Sequence, residues 1–153
     1  MTKRRLFLGS EEGSVKIWNF SNGQCLSTLI SPETQEISSI LEVESQIGKP
    51  PMILSSSWSS KIYIWFDSMD EEIKFCRVLP KGNYNPHSRD ILKMDYSKKY
   101  KMLISGASDG SIVAWNIETG YYRINYSHFK DLKVEDTNQI GKAIEFVEIN
   151  RLK

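Results

Sequence analysis

Cysteine and histidine are scarce in this chain. Its 153 residues include two of each, and neither Cys25 and Cys76 nor His87 and His128 stand at the spacing of a metal-binding motif. We therefore expect no metal site. Both cysteines lie in extended apolar segments, which predicts small buried side chains in a reducing compartment.

Long hydrophobic runs and concentrated charge are also missing. No apolar run approaches the ~18 residues of a membrane-spanning helix, and no secretory signal is present. The 20 Lys and Arg residues offset 19 Asp and Glu residues, leaving a net charge of +1. No phosphate-binding glycine motif occurs. These features predict a cytoplasmic protein without a cofactor, a membrane contact or a nucleic-acid partner.

One short motif has the spacing of catalysis. The stretch "SGASDGS" at residues 105–111 contains G-x-S-x-G, which marks the nucleophile elbow of hydrolases when a helix follows it. Here the β-rich run "SIVAWN" follows Gly110, and a sister segment carries Glu11 in place of Ser108. Asp109-Gly110 is therefore predicted to be a hairpin turn, and we expect no enzyme.

Internal repeats organise the chain. "GSEEGSVKIWNFSNG" at 9–23 and "GASDGSIVAWNIETG" at 106–120 align without a gap, and "SSSWSSKIYIWFD" at 55–67 is a weaker copy. Trp18, Trp65 and Trp115 recur at nearly equal spacing, and Gly13 and Gly110 occupy the same place in their copies. Such a period predicts a repeat architecture.

Each repeat is predicted to be β-structure, since its short runs are rich in β-branched and aromatic residues bounded by turn residues. The predicted strands are 6–10 and 15–20; then 24–29, 37–43, 52–56 and 61–66; then 73–79, 91–96, 102–107 and 111–116; and finally 121–126 and "KAIEFVEI". The fold class is all-β in one domain, 1–153. Its units are 1–29, 30–79 and 80–126, with 127–153 a loop plus the first strand of a further unit.

A strand, an Asp-Gly turn and a strand ending in Trp-Asn together resemble the WD40 repeat of β-propellers, over nearly the whole chain. The resemblance implies a partial propeller of about three four-stranded antiparallel blades. It also implies a buried hydrogen-bonded network of His87, Ser105, Asp109 and Trp115 in the last full unit. The other two units have Glu12 and Ser59 at the Asp position and no matching His, so they are expected to rely on packing.

Three blades are too few to close a ring, because known propellers have about four to eight. We therefore expect the chain to be part of a larger propeller. Two alternatives stay open, namely a ring made by two copies and a ring completed by a different subunit.

A narrower likeness concerns function. Trp58 before the third strand of the middle unit, followed by a "DGSIVAWNIETG" blade, resembles the EF-hand-associated WD-repeat proteins of motile cilia. This likeness implies a non-enzymatic protein-interaction scaffold in an axoneme, with axonemal or tubulin-associated partners. The alternative is a peptide- or modification-binding WD40 adaptor of the cytoplasm or nucleus. Exposed aromatic side chains in the loops, Tyr84, Tyr121 and Trp58, are the predicted partner contacts.

Overall fold

A computed structural model describes residues 5–44, 51–67, 74–127 and 148. Within these ranges the chain forms eleven β-strands in three antiparallel sheets, and no helix. None of the described residues forms a helix long and apolar enough to cross a membrane. The predicted all-β fold is thus confirmed, while the unit at 127–153 and its "KAIEFVEI" strand lie almost wholly outside the described residues.

The three sheets follow one another along the chain. The first contains β1 (Arg5–Gly9), β2 (Ser14–Asn19) and β3 (Gln24–Ile30). The second contains β4 (Ile37–Val43), β5 (Met52–Ser57), β6 (Ile62–Phe66) and β7 (Lys74–Leu79). The third contains β8 (Ile91–Ser97), β9 (Met102–Ala107), β10 (Ser111–Trp115) and β11 (Tyr122–Ser127). In the four-stranded sheets, hydrogen-bonded neighbours are also consecutive in sequence.

Three predicted strands, 24–29, 73–79 and 121–126, were grouped with strands that follow them, although the unit bounds 1–29, 30–79 and 80–126 separate them from those strands. In the structure each of the three pairs with the strand before it. β7, for example, pairs with β6, with Leu79 opposite Ile62. The sequence repeat is recognised by its turns and tryptophans, whereas sheet membership depends on hydrogen-bonded edges. Because β6 and β7 are consecutive, they pair antiparallel, and residues 80–90 then cross to the next sheet.

The middle sheet is buried on both faces. Successive residues of β6 point to opposite sides, so Ile62 and Ile64 enter one apolar core and Tyr63 and Trp65 enter another. The first core packs sheet two against sheet three, with Leu54, Leu103, Val113 and Trp115 among its members. The second packs it against sheet one, with Val15, Ile17, Leu29 and Ile53. Near-continuous hydrophobic strands such as "IYIWF" follow from this arrangement.

A buried ion cluster and a close backbone contact join sheets one and two. Arg5 of β1 donates hydrogen bonds to Glu42 of β4 and to Asp67 after β6, and Asp67 is only 4% exposed. Gly13 adopts a positive φ of 79°, and a Cβ there would lie 2.7 Å from the carbonyl oxygen of Glu33. Any larger residue at 13 would therefore push the two sheets apart.

The outward faces of the stack remain apolar. Leu6 and Leu8 of sheet one are 44% and 48% exposed, and Ile124 and Tyr126 of sheet three are 45% and 56% exposed. Cys25 is also exposed, so its predicted burial was wrong. It pairs with Trp18, which places both on the face of sheet one that no described sheet covers. The side chain of Cys76 lies outside the described residues.

Candidate functional site

The third sheet contains a buried chain of polar side chains. His87, in the segment between β7 and β8, is 2% exposed. Its Nε2 lies 2.6 Å from Ser105 Oγ, and its Nδ1 lies 2.6 Å from Ser111 Oγ. Trp115 Nε1 donates to Ser105 Oγ at 2.7 Å, and Ser111 Oγ donates to Asp109 Oδ1 at 2.5 Å. The structure therefore brings together all four residues expected of the network.

Ser111 is the member that sequence reasoning missed. It links His87 to Asp109, because both its hydroxyl and its backbone N–H donate to Asp109 Oδ1. Ser88 adds two more bonds, with its N–H and hydroxyl donating to Asp109 Oδ2 at 2.9 and 2.6 Å. The signal available in sequence was a serine two residues after the turn Asp, a position that favours local side-chain hydrogen bonds.

The two end groups of this series of hydrogen bonds, the indole of Trp115 and the carboxylate of Asp109, determine which group donates in each bond. An indole N–H can only donate and a carboxylate can only accept. Ser105 accepts from Trp115, so its own proton goes to His87 Nε2, and Nδ1–H then donates to Ser111. The neutral Nδ1–H tautomer satisfies each group once. A protonated His87 would leave the hydroxyl proton of Ser105 without its acceptor.

The electrostatics agree with this direction. Burial lowers the pKa of His87 to about 4, although the charge of Asp109 opposes the shift. Burial also raises the pKa of Asp109, but the hydrogen bonds from Ser111 and Ser88 outweigh it and bring that pKa to about 2. At neutral pH the imidazole of His87 is therefore neutral and the carboxylate of Asp109 is ionised.

The second sheet has a different polar cluster at the matching place. Glu33 stands four residues before the first residue of its sheet, as His87 does. It forms an ion pair with Lys61 and hydrogen bonds with Tyr63 and Ser59. These bonds lower the pKa of Glu33, while burial and Glu33 together raise the pKa of Tyr63. The expectation that this unit relies on packing alone was wrong.

The first sheet has no such network among its described residues. Its hairpin register places Leu8 where the other sheets carry Ser55 and Ser105. Without a hydroxyl there, the indole N–H of Trp18 is buried with no hydrogen-bond partner. Trp18, Trp65 and Trp115 thus share one sequence position in three different polar environments.

The three predicted partner contacts are exposed, and two of them lie together. Tyr84 is 63% exposed, Tyr121 55% and Trp58 52%. The ring of Tyr84 lies 5.7 Å from that of Tyr122, and Lys81 Nζ lies 5.9 Å from the ring of Tyr121. Trp58 lies apart from them in the β5–β6 turn, where its backbone N–H donates to the backbone carbonyl of Glu36.

The hairpin of the third sheet does not form a nucleophile elbow at Ser108. Ser108 lies in the β9–β10 turn, with Gly110 at a φ of 80°, and β10 follows directly instead of a helix. Its N–H donates to the carbonyl of Asp90. Across the described ranges, no group of three or more His, Cys, Asp or Glu could hold a metal ion.

Comparison with known proteins agrees with the geometry of the third sheet. Residues 79–116 match the family described as "WD domain, G-beta repeat", which covers the network from His87 to Trp115. Residues 79–116 are therefore similar to a WD40 repeat. WD-repeat proteins generally mediate protein–protein interactions, and most act as scaffolds without catalysis.

Curated relatives carry the same description. The "WD repeat-containing protein on Y chromosome" of Drosophila ananassae is 27% identical over 122 residues, 80% of this chain and 10% of the relative. Its counterpart in Drosophila willistoni is 26% identical over 136 residues, covering 86% and 12%. An uncharacterised WD repeat-containing protein of Schizosaccharomyces pombe is 28% identical over 114 residues, covering 74% and 28%. The chain spans about a tenth of the length of these fly relatives.

Replacing Ser105, which joins Trp115 to His87, tests the network, and the same change at the matched Ser55 of sheet two is the control. S105A removes the acceptor of Trp115 and the donor to His87, leaving two buried polar groups unpaired. We expect a loss of about 2–4 kcal/mol in the free energy of unfolding. S55A removes a buried hydroxyl that has no partner, so it should be neutral or slightly stabilising. Urea unfolding followed by circular dichroism measures the free energy of unfolding of both variants. Equal losses in S105A and S55A would show that the hydrogen bonds of Ser105 add no stability.

Acid should weaken the fold in a defined pH window. The unfolded state takes up a proton at His87 below its ordinary pKa of 6.5, but the folded state does so only near 4. The unfolded state therefore binds more protons between these values, and the free energy of unfolding should fall as pH drops from 6.5 to 4. The full loss is on the order of 3 kcal/mol.

Asp109 adds a second loss at lower pH, below its ordinary pKa of 3.8 and down to about 2. H87Q should abolish the first window and keep the second. The measurement is urea unfolding at a series of pH values for both proteins. A wild-type slope that persists in H87Q would assign the acid sensitivity to other groups.

Proposed function

We propose that the chain is part of a non-enzymatic scaffold that binds other proteins, as a structural WD-repeat component of a ciliary axoneme or a similar large assembly. Its expected location is the cytoplasm, at the axoneme. The supporting observation is the WD40-like repeat whose polar side chains are used up in holding the sheet together.

The network supports a structural role because its atoms point into the protein. Ser105 is fully buried and His87 is 2% exposed. Each donates to or accepts from another member of the chain, so neither is available to a substrate. Exposed residues of the described loops include aromatic and basic side chains. Such surfaces suit contacts with other proteins.

We also propose that further sheets of a longer propeller cover the two outward faces of the stack. Leu6, Leu8, Ile124 and Tyr126 are exposed apolar side chains on these two faces. The faces of the middle sheet also carry apolar side chains, but there neighbouring sheets bury them. Contiguous apolar surface of this kind favours association. The small fraction of the fly relatives that the chain spans is consistent with additional sheets.

Light scattering of the purified chain tests whether these faces need cover. We expect a mass above the 17.7 kDa of one chain, because the open faces associate. The double variant L8S/I124S should shift the distribution toward the monomer. F20S is the control, since Phe20 is 69% exposed in the β2–β3 turn and away from both faces. A folded, monodisperse wild-type monomer would contradict the proposed cover.

Fractionation of ciliated cells tests the axonemal role. A tagged chain should remain with the microtubule fraction after detergent extraction of isolated cilia. Weaker retention of the triple variant K81E/Y84S/Y122S would show that the loop surface contributes to this association. Release of the wild-type chain into the detergent extract would overturn the axonemal assignment. Saturable binding of short modified peptides by that released protein would favour the adaptor alternative.

A further inference from the structure

The exposed aromatic residues around the start of β11, with one lysine beside them, form a surface that we call the tyrosine patch: Lys81, Tyr84, Tyr121 and Tyr122. The ring centroids of Tyr84 and Tyr122 lie 5.7 Å apart, and the ring planes are inclined by 43°. Lys81 Nζ approaches the ring of the adjacent Tyr121. Two segments distant in sequence, 81–84 and 121–122, thus contribute to one exposed surface.

The patch is held in place by backbone and side-chain hydrogen bonds. The N–H of Lys81 donates to the carbonyl of Gly120 at 2.9 Å, and Asn125 Nδ2 donates to the carbonyl of Pro86 at 3.3 Å. Residues 81–86 therefore run alongside 120–125. Asn85 Nδ2 also donates to the carbonyl of Ser60 at 3.0 Å. A surface anchored at several points loses little conformational entropy on binding.

The charges around the patch are mainly positive. Segments 80–87 and 116–123 contain the cations Lys81 and Arg123 and the single anion Glu118. A third cation, Arg77, donates to the backbone carbonyl of Glu118 at 2.6 Å, so its guanidinium borders the same turn. A partner with negative charge would be attracted to this edge of the third sheet.

We propose that the tyrosine patch binds an extended acidic segment of another protein. The ring faces offer flat apolar contact for proline or aliphatic side chains, and the cations pair with carboxylates spaced along the segment. An extended segment can contact both parts of the patch, residues 81–84 and 121–122, because they lie side by side. The assignment deepens the proposed scaffold function and rests on it, since it names the surface and the chemistry of one partner.

Single-stranded nucleic acid is the competing occupant, since it also combines negative charge with flat groups. The geometry favours a peptide. Lys81 already lies against Tyr121, and Tyr84 and Tyr122 are inclined to each other, so a base could not insert between parallel rings. The net charge of +1 also provides little of the general attraction that nucleic-acid binding requires.

The test uses the full chain and a defined probe. A fluorescein-labelled peptide of about twelve residues, alternating glutamate and proline to stay extended, is titrated with protein while fluorescence anisotropy is recorded. We expect saturable binding that weakens from about 0.05 M to about 0.5 M salt. The glutamine–proline and lysine–proline peptides of the same length should not bind.

Two paired variants decide whether the patch is responsible. K81E/Y122S should weaken binding of the glutamate–proline peptide about tenfold or more. The matched control is K99E/Y100S, because Lys99 Nζ lies 5.4 Å from the ring centroid of Tyr100, a 57% exposed tyrosine in the β8–β9 turn. Among the described residues, no second ring contacts Tyr100. Circular dichroism and thermal unfolding should match the wild type in both variants.

Other outcomes overturn either the assignment of the patch or the axonemal role. Absence of peptide binding, or equal weakening in the control variant, would show no specific acidic-segment site at the patch. Displacement of the peptide by an oligothymidylate of similar length at lower concentration would assign the patch to nucleic acid. Loss of peptide binding with intact axonemal fractionation removes only this inference, whereas retained binding with failed fractionation removes only the axonemal role.

Discussion

Burial of the middle sheet on both faces is the constraint on which the rest of the structure depends. Ile62 and Ile64 pack toward one neighbour and Tyr63 and Trp65 toward the other, so neither neighbour can be removed without exposing large side chains to water. The sheets must also approach closely enough for Gly13 to lie against the backbone at Glu33. Stacking therefore dictates which residues the turns can carry.

Each sheet meets the same local problem, a tryptophan beside a hairpin, in a different way. The third sheet uses a directed hydrogen-bond chain from indole to carboxylate, and the second uses an ion pair joined by a tyrosine. The first leaves its indole N–H unpaired. Because an unpaired buried donor costs free energy, the first sheet should contribute less to stability than the third.

The strands and the polar network were largely predictable because they depend on local patterns. Alternating hydrophobic runs and Asp-Gly turns fix most strands to within a residue or two, and the spacing from His87 to Trp115 follows the WD40 pattern. Strand grouping, the burial of Cys25 and the reliance of the middle unit on packing alone were mispredicted. All three depend on which edges and faces meet in space, and a single sequence contains no direct record of that. The contact of Tyr122 with Tyr84 was missed because it joins β11 to the segment between β7 and β8, which is distant in sequence.

The segment at 80–90 joins stability to recognition in this fold. Its end near β8 supplies His87 and Ser88 to the buried network, and its beginning supplies Lys81 and Tyr84 to the surface. Hydrogen bonds at Lys81 and Asn85 leave only a short span between anchors. Tyr84 is consequently exposed yet constrained, because the same contacts that close the core limit how far its backbone can move. A loop that extends from the core to the surface in this way can present a binding residue without a separate supporting element.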